Sequence, residues 1–364
     1  HWYKKLGIYD HVEFVDINEF WDLYLGTRHF KVPSKVDDFE KYLLLEFPHE
    51  KNGIIEYFDM IRGMRGELDS FLCDNRSSFT KIRNPYSTMF ASKTYGKILS
   101  ELFSDEDIIK LLTSNLELFH HDYNKISGLT FMSGNSYYLS EGQCFIKGSS
   151  HVLIDYLRKC IEEAGGTILR GHFVEGAKLE NDQIKYLDVY KKSTGERTKV
   201  SGNHYIFNNS PEVVKRWIND QSPGKENLID SKEKLSRSAC NIYLEFDRPP
   251  SEFGVKAYGN SIHLSGQEQS EFDGLERIGF MDYSQFDSNL SPDKYLAAIL
   301  YLDEYSNWSN LSKESYDEKK EKNLVQLFKF LDKRFPGLST ACSRIDYGTP
   351  LTVCLLYTSP SPRD

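Results

Sequence analysis

The stretch from Gly142 to Val174 constrains this fold most. A short run, Gly142 to Ile146, stops at Lys147-Gly148-Ser149-Ser150 and gives way to apolar residues at helical spacing: Leu153, Tyr156, Leu157, Cys160, Ile161 and Ala164. Ser149 or Ser150 suits the N-cap, and Gly165 suits the stop. Gly165-Gly166 leads at once into Thr167-Ile168-Leu169, a β-type run, and then Gly171-His172-Phe173-Val174. Strand, helix and returning strand in this order point to a mixed α/β chain.

Beyond it, Lys178 to Asn208 alternates polar and apolar residues around Glu180-Asn181-Asp182 and Ser193-Thr194-Gly195. This reads as a small antiparallel meander. The meander runs into a strand expected at His204 to Asn208, which ends at Asn209-Ser210-Pro211-Glu212. Ser210 suits an N-cap, Pro211 the first helical position, and Glu212 the positive end of the helix dipole.

Upstream, Val12 to Pro33 reads as a hairpin turning at Gly26-Thr27, and Ser34 to about Phe119 as several helices broken at Pro48, Asn84-Pro85 and Ser104-Asp105. Downstream, strand-like runs lie at Cys240 to Phe246, Lys256 to His263 and Tyr295 to Leu302. A helix is expected from a capping box at Ser315 and Glu318, with Leu324, Leu327, Phe328, Leu331 and Phe335 as its stripe and Pro336-Gly337 as its stop. The charged run Lys313 to Lys322 reads as its solvated face.

At 364 residues and 42.2 kDa the chain is large enough for two domains. Forty-five basic against 54 acidic side chains leave a net charge of −9, which argues against a nucleic-acid partner. Six scattered cysteines without a CxxC pair suggest neither a disulfide framework nor a metal site, and fit a reduced, intracellular setting. His120-His121 and His151 lack the i, i+4 spacing of metal ligands, and no GxSxG elbow frames Ser149. No apolar run reaches membrane-span length, so a soluble or peripherally membrane-associated protein is expected. The last eleven residues, CLLYTSPSPRD from Cys354 to Asp364, resemble a translated sequencing adapter and are set aside as a non-native tail.

A capped helix start directly after a strand is an anion site, because its free N–H groups and dipole favour negative charge. Two such turns occur, at Lys147-Gly148-Ser149-Ser150 and at Asn208-Asn209-Ser210-Pro211. Their order resembles the middle of the phytoene desaturase, carotenoid isomerase and retinol saturase group of FAD-dependent oxidoreductases: KGSS, helix, EEAGGTIL, HFVEG, meander, YIFNNSP. Flanking stretches extend the likeness, from LLEFPHE at Leu44 to Glu50, followed by Gly53-Ile54, through FPGL at Phe335 to Leu338 to TPLT at Thr349 to Thr352.

By position the resemblance implies cofactor-binding roles for Gly148 and Ser149, with Lys147 where the family's first Gly is usual, for Val174 beside the adenine with Phe173 before it, and for Asn208, Asn209 and Ser210 at the strand end. It implies a partial Rossmann-like FAD-binding domain over 126–212 and a substrate domain of antiparallel sheet and helices over 12–125 and 213–345. It further implies FAD, NAD(P) as a candidate electron donor or acceptor, and an apolar isoprenoid or polyene that is desaturated, saturated or isomerised. Peripheral membrane contact is compatible with such a substrate. The departures weigh equally. No GxGxxG occurs, so the 364 residues alone are expected to bind FAD poorly. Two other readings use the same fold: an amine oxidase acting on polar cations, and a flavin-free prenyl-binding protein of the GDP-dissociation-inhibitor or Rab escort type. No residue is singled out as a catalytic acid or base.

Overall fold

A computed structural model of the chain describes residues 2–17, 19–73, 85–116, 120, 122–181, 183–209, 211–219, 237–272, 274–286, 290–291 and 293–353. Its elements are α1 (Trp2–Lys5), β1 (Phe14–Ile17), β2 (Glu19–Leu25), β3 (Arg28–Pro33), α2 (Val36–Glu46), α3 (Lys51–Cys73), α4 (Pro85–Ala91), α5 (Tyr95–Leu102), α6 (Glu106–Leu112), α7 (Gly128–Glu141), β4 (Gln143–Ile146) and α8 (Ser150–Glu163). There follow β5 (His172–Glu180), β6 (Gln183–Lys191), β7 (Arg197–Val200), α9 (Pro211–Asn219), β8 (Ser238–Phe246), β9 (Gly259–His263), α10 (Gly266–Glu271), β10 (Arg277–Asp282), β11 (Tyr295–Asp303), α11 (Ser306–Ser309), α12 (Lys313–Arg334) and β12 (Cys342–Gly348). The chain divides into two compact units: His1–Ile154 with Cys240–Leu302 and Ser312–Tyr347, and Asp155–Ala239 with Asp303–Leu311 and Gly348–Asp364.

The first unit is organised by a seven-stranded sheet of order β12-β8-β11-β10-β9-β2-β3. The hairpin expected over Val12 to Pro33 forms only from Glu19 on, as β2 and β3, with Gly26 at φ +59° in the two-residue turn between Leu25 and Arg28; Phe14–Ile17 instead pairs antiparallel with β4. β2 then lies parallel to β9, and β9, β10 and β11 follow antiparallel. Alternation along β2 and β3 puts Leu23, Phe30 and Val32 on one face, against a helical core of Phe39, Leu43, Tyr57, Ile61, Leu99 and Phe131. The other face meets α12: Tyr24 and Phe280 lie 5.6 and 6.2 Å, ring to ring, from Phe335. Asn323 on α12 donates to Tyr301 Oη and Tyr347 Oη at 3.2 and 3.3 Å.

The start of α12 differs from the expected capping box at Ser315 and Glu318. Ser312 is the N-cap, its Oγ accepting from the Ser315 N–H at 3.2 Å, so the helix begins three residues earlier. Both serines satisfy the sequence rule, and the structure uses the one that lets Lys313 and Glu314 join the helix. Leu327, Phe330 and Leu331 are buried while Phe328 is half-buried, which moves the apolar stripe slightly round the helix.

In the second unit the meander forms as expected. β5, β6 and β7 are antiparallel neighbours, with Asn181 (φ +51°) and Gly195 (φ +72°) at the two turns. Ala177, Val189, Val214 and Trp308 are buried apolar residues among the described ones of this unit. Helix α8 ends in a Schellman arrangement, Gly166 N–H bonding Ile161 O and Gly165 N–H bonding Glu162 O, which confirms Gly165 as its stop. Two expected strands are corrected: neither Thr167 to Leu169 nor His204 to Asn208 forms a strand. A strand exists only through its ladder, and among the described residues neither segment has a partner. Ile168 and Leu169 stay in solvent at 40% and 51% exposure and Ile206 at 95%, while Phe207 packs its ring near Trp217. The fold class is nonetheless mixed α/β as read from the sequence. The expected N-cap Ser210 and the tail 354–364 lie outside the described residues.

Candidate functional site

In the first unit a cavity of about 480 Å³ opens on the helical-core side of the seven-stranded sheet. Its floor follows from strand register. Trp21, Gly259 and Met281 are opposed across β2, β9 and β10, and one rung on Leu23, Ser261, Gly279 and Leu300 are opposed across β2, β9, β10 and β11. Paired residues share a face, so two glycines leave a side-chain-free depression between Trp21 and Met281. Ile17 of β1, Tyr138 of α7, Phe145 of β4, and Tyr258 wall it. Burial holds the Tyr138 and Tyr258 phenols above their ordinary range, so both stay neutral.

One end of the cavity is polar. Ser114 and Asn115, in the loop after α6, line it together with Ser261. Arg277 secures that loop, its Nη1 donating to Thr113 O at 3.1 Å and Ser114 O at 3.2 Å. Asn115 Nδ2 donates to Asn135 Oδ1 at 2.8 Å, and Asn135 Nδ2 to Tyr57 Oη at 3.0 Å, a buried chain that fixes this wall against α3 and α7. His263 opposes Arg277 in the ladder. Burial, with the Arg277 charge beside it, pushes the His263 imidazole down to about 3, so it is neutral at physiological pH. Among the described residues no carboxylate lines the cavity. Asp22 and Asp282 follow Trp21 and Met281 in sequence, and alternation turns them to the opposite face.

Of the expected cofactor residues that belong to this unit, Lys147, Gly148 and Ser149 do not line this cavity. Gly148 and Ser149 form the turn into α8 with consecutive positive φ values of 78° and 77°, and Ser149 Oγ accepts from the His151 N–H at 3.4 Å. Lys147 Nζ lies 2.9 Å from both carboxylate oxygens of Glu13, so its charge is already paired. Ser149 lines a second cavity of about 600 Å³ in the same unit, with Tyr243, Glu245, Tyr283 and Arg344, and Phe145 borders both cavities. In the other unit Phe173 opposes Tyr190 and Val174 opposes Val189, with Glu175 bulged out after them. Val174 is 40% exposed, and Asn208 and Asn209 are exposed in irregular chain. These groups offer surfaces for part of a dinucleotide. They include no glycine-rich turn to hold its pyrophosphate, so the residues present do not make a complete flavin site.

The cavity's own residues escaped sequence reasoning, although an isolated glycine inside a strand-like run, as at Gly259 in Lys256 to His263, signals close approach by another group.

No family model matches the chain. It is 23% identical over 360 residues to the chloroplastic prolycopene isomerase of Arabidopsis thaliana, a match covering 90% of this chain and 57% of that protein. The chain thus spans little more than half the length of that relative. Among solved structures it is similar to an oxidoreductase from Methanosarcina mazei, with a TM-score of 0.61 at 14% identity over 95% of this chain and 71% of that one. It is also similar to a putrescine oxidase redesigned in cofactor binding (TM-score 0.57, 12% identity, 98% and 71% covered). A third likeness is to the cyclohexylamine oxidase of Brevibacterium oxydans (TM-score 0.53, 13% identity, 94% and 69% covered). Identities this low establish a shared fold. Among the described residues no helix is long and apolar enough to cross a membrane.

Proposed function

We propose that the protein is an FAD-dependent oxidoreductase acting on a neutral, apolar isoprenoid or polyene by desaturation, saturation or cis/trans isomerisation, with the cavity on the seven-stranded sheet as its substrate site. The observation that carries the substrate class is the lining: Ile17, Trp21, Tyr138, Phe145, Tyr258 and Met281 around a glycine floor, with no carboxylate among the lining residues. Such a wall favours an apolar chain, at about 25 cal/mol per Å² of apolar surface buried. The likeness to prolycopene isomerase supports the same class. The bound flavin supplies the redox chemistry, and the cavity's part is to hold the substrate and exclude water. FAD contacts at Lys147, Gly148, Ser149, Phe173, Val174, Asn208, Asn209 and Ser210 remain part of the proposal.

An amine oxidase reading shares the fold of two of the solved structures, and aromatic walls can hold cations. Against it, the buried Arg277 guanidinium stands at the cavity's polar end, where it repels an ammonium group. The two readings separate in one titration of the flavin-loaded protein. An isoprenoid polyene perturbs the flavin absorbance and cyclohexylamine leaves it unchanged; the reverse pattern favours the amine.

A further inference from the structure

We propose that Ser261 and Gly279 are the specificity-determining pair of this cavity, selecting an apolar chain that carries one hydroxyl group: the chain lies along the floor at Gly259 and Gly279, and its hydroxyl bonds Ser261 Oγ. The inference rests on the cavity being the substrate site and deepens that reading.

Ser261 is 9% exposed and lines the cavity, and its Oγ is buried with no hydrogen-bond partner among the described residues. A buried hydroxyl left unpaired is costly, and proteins tolerate it chiefly where something else completes the bond. Asn260 also lines the cavity and keeps a buried Oδ1 without a partner among the described residues, its Nδ2 donating to Ala257 O and Phe280 O, but an amide oxygen can only accept. The donors of Asn115, Ser114 and Arg277 are already engaged. Asn115 is tied to Asn135, Ser114 Oγ donates to Leu111 O at 2.6 Å, and Arg277 holds the loop carbonyls. Ser261 is thus the lining hydroxyl left open to a ligand. A hydroxyl matches it because it both donates and accepts. An ammonium is disfavoured by the neighbouring Arg277.

Gly279 needs no glycine for its own backbone. Its φ is not in the left-handed region, and a Cβ built on it meets Leu300 O and Met281 Sδ at 3.6 Å, an ordinary contact. A glycine inside a strand weakens it through lost conformational entropy. What the missing side chain provides is room over the floor, directly beside Ser261 in the ladder. A branched side chain there would rise into the space the ligand occupies.

The test uses the 364-residue chain, with farnesol and the hydrocarbon farnesene as paired probes and tryptophan fluorescence as readout. Farnesol is expected to bind about tenfold tighter than farnesene, one decade being about 1.4 kcal/mol. Ser261→Ala should erase that preference while leaving farnesene affinity unchanged. Gly279→Val should weaken both probes at least tenfold without lowering Tm. Equal affinities in the unaltered chain, a preference that survives Ser261→Ala, or unchanged binding by Gly279→Val would each overturn the proposal. None of these outcomes depends on flavin, so the flavoenzyme reading stands or falls separately.

Discussion

His263 shows how a single residue reports on the cavity wall. Its imidazole is held down to about 3 by burial and by Arg277, against an ordinary value of 6.5. A base with a depressed folded value costs nothing above 6.5, where it is neutral both folded and unfolded. Below 6.5 the unfolded chain takes up a proton that the folded one refuses, so each pH unit removes about 1.4 kcal/mol until about 3. His263→Gln is expected to flatten the fall in stability between pH 6.5 and 4.5, measured as urea midpoints across that range. An unchanged slope would place the acid sensitivity elsewhere. Residue-level reading of the sequence located the turn at Gly148 and Ser149 correctly but gave Ser261, Gly279 and Trp21 no part in a site. Turns declare themselves through glycine and serine in the chain, whereas the cavity's residues become neighbours only through the register of β2, β9 and β10.

At the scale of elements the α12 cap separates two serines that the sequence treats alike. Ser312→Ala removes the side chain that accepts the Ser315 N–H and is expected to cost about 1 kcal/mol, whereas Ser315→Ala costs a few tenths at most. Thermal unfolding of the two variants decides between the caps, and equal losses would contradict the assignment to Ser312. The helices, the β2–β3 hairpin and the meander were legible because each is set by periodicity and turn residues a few positions apart. The strands expected at 167–169 and 204–208 were not, because their β-type composition predicts only a readiness to pair, and pairing depends on a partner elsewhere. β10 and β12 went unread for the converse reason: Arg277–Asp282 and Cys342–Gly348 carry no clean alternation and are strands because β9, β11 and β8 border them.

For the whole molecule, the two units differ in what they bury. The first holds two dozen buried residues in its helical core alone, among them Tyr57, Phe58, Phe90 and Phe131. In the second, the part of α8 from Asp155 onward buries no residue, and Ile161, Ile168, Leu169 and Ile206 are all exposed. Local stability follows buried apolar contact, so amide exchange over 155–180 and 197–209 is expected to outpace that of α3, α5 and β9–β11 by several orders of magnitude. Uniform protection would contradict this. The same contrast bears on the proposed flavin, whose expected contacts at Phe173, Val174, Asn208 and Asn209 lie in the sparsely packed unit, while the cavity proposed for the substrate lies in the other. The most direct test of the account is the visible spectrum of the protein purified from its complete gene. A flavin band, released as FAD on denaturation and perturbed by an isoprenoid polyene, is the predicted result; a colourless protein that still folds would contradict the flavoenzyme reading.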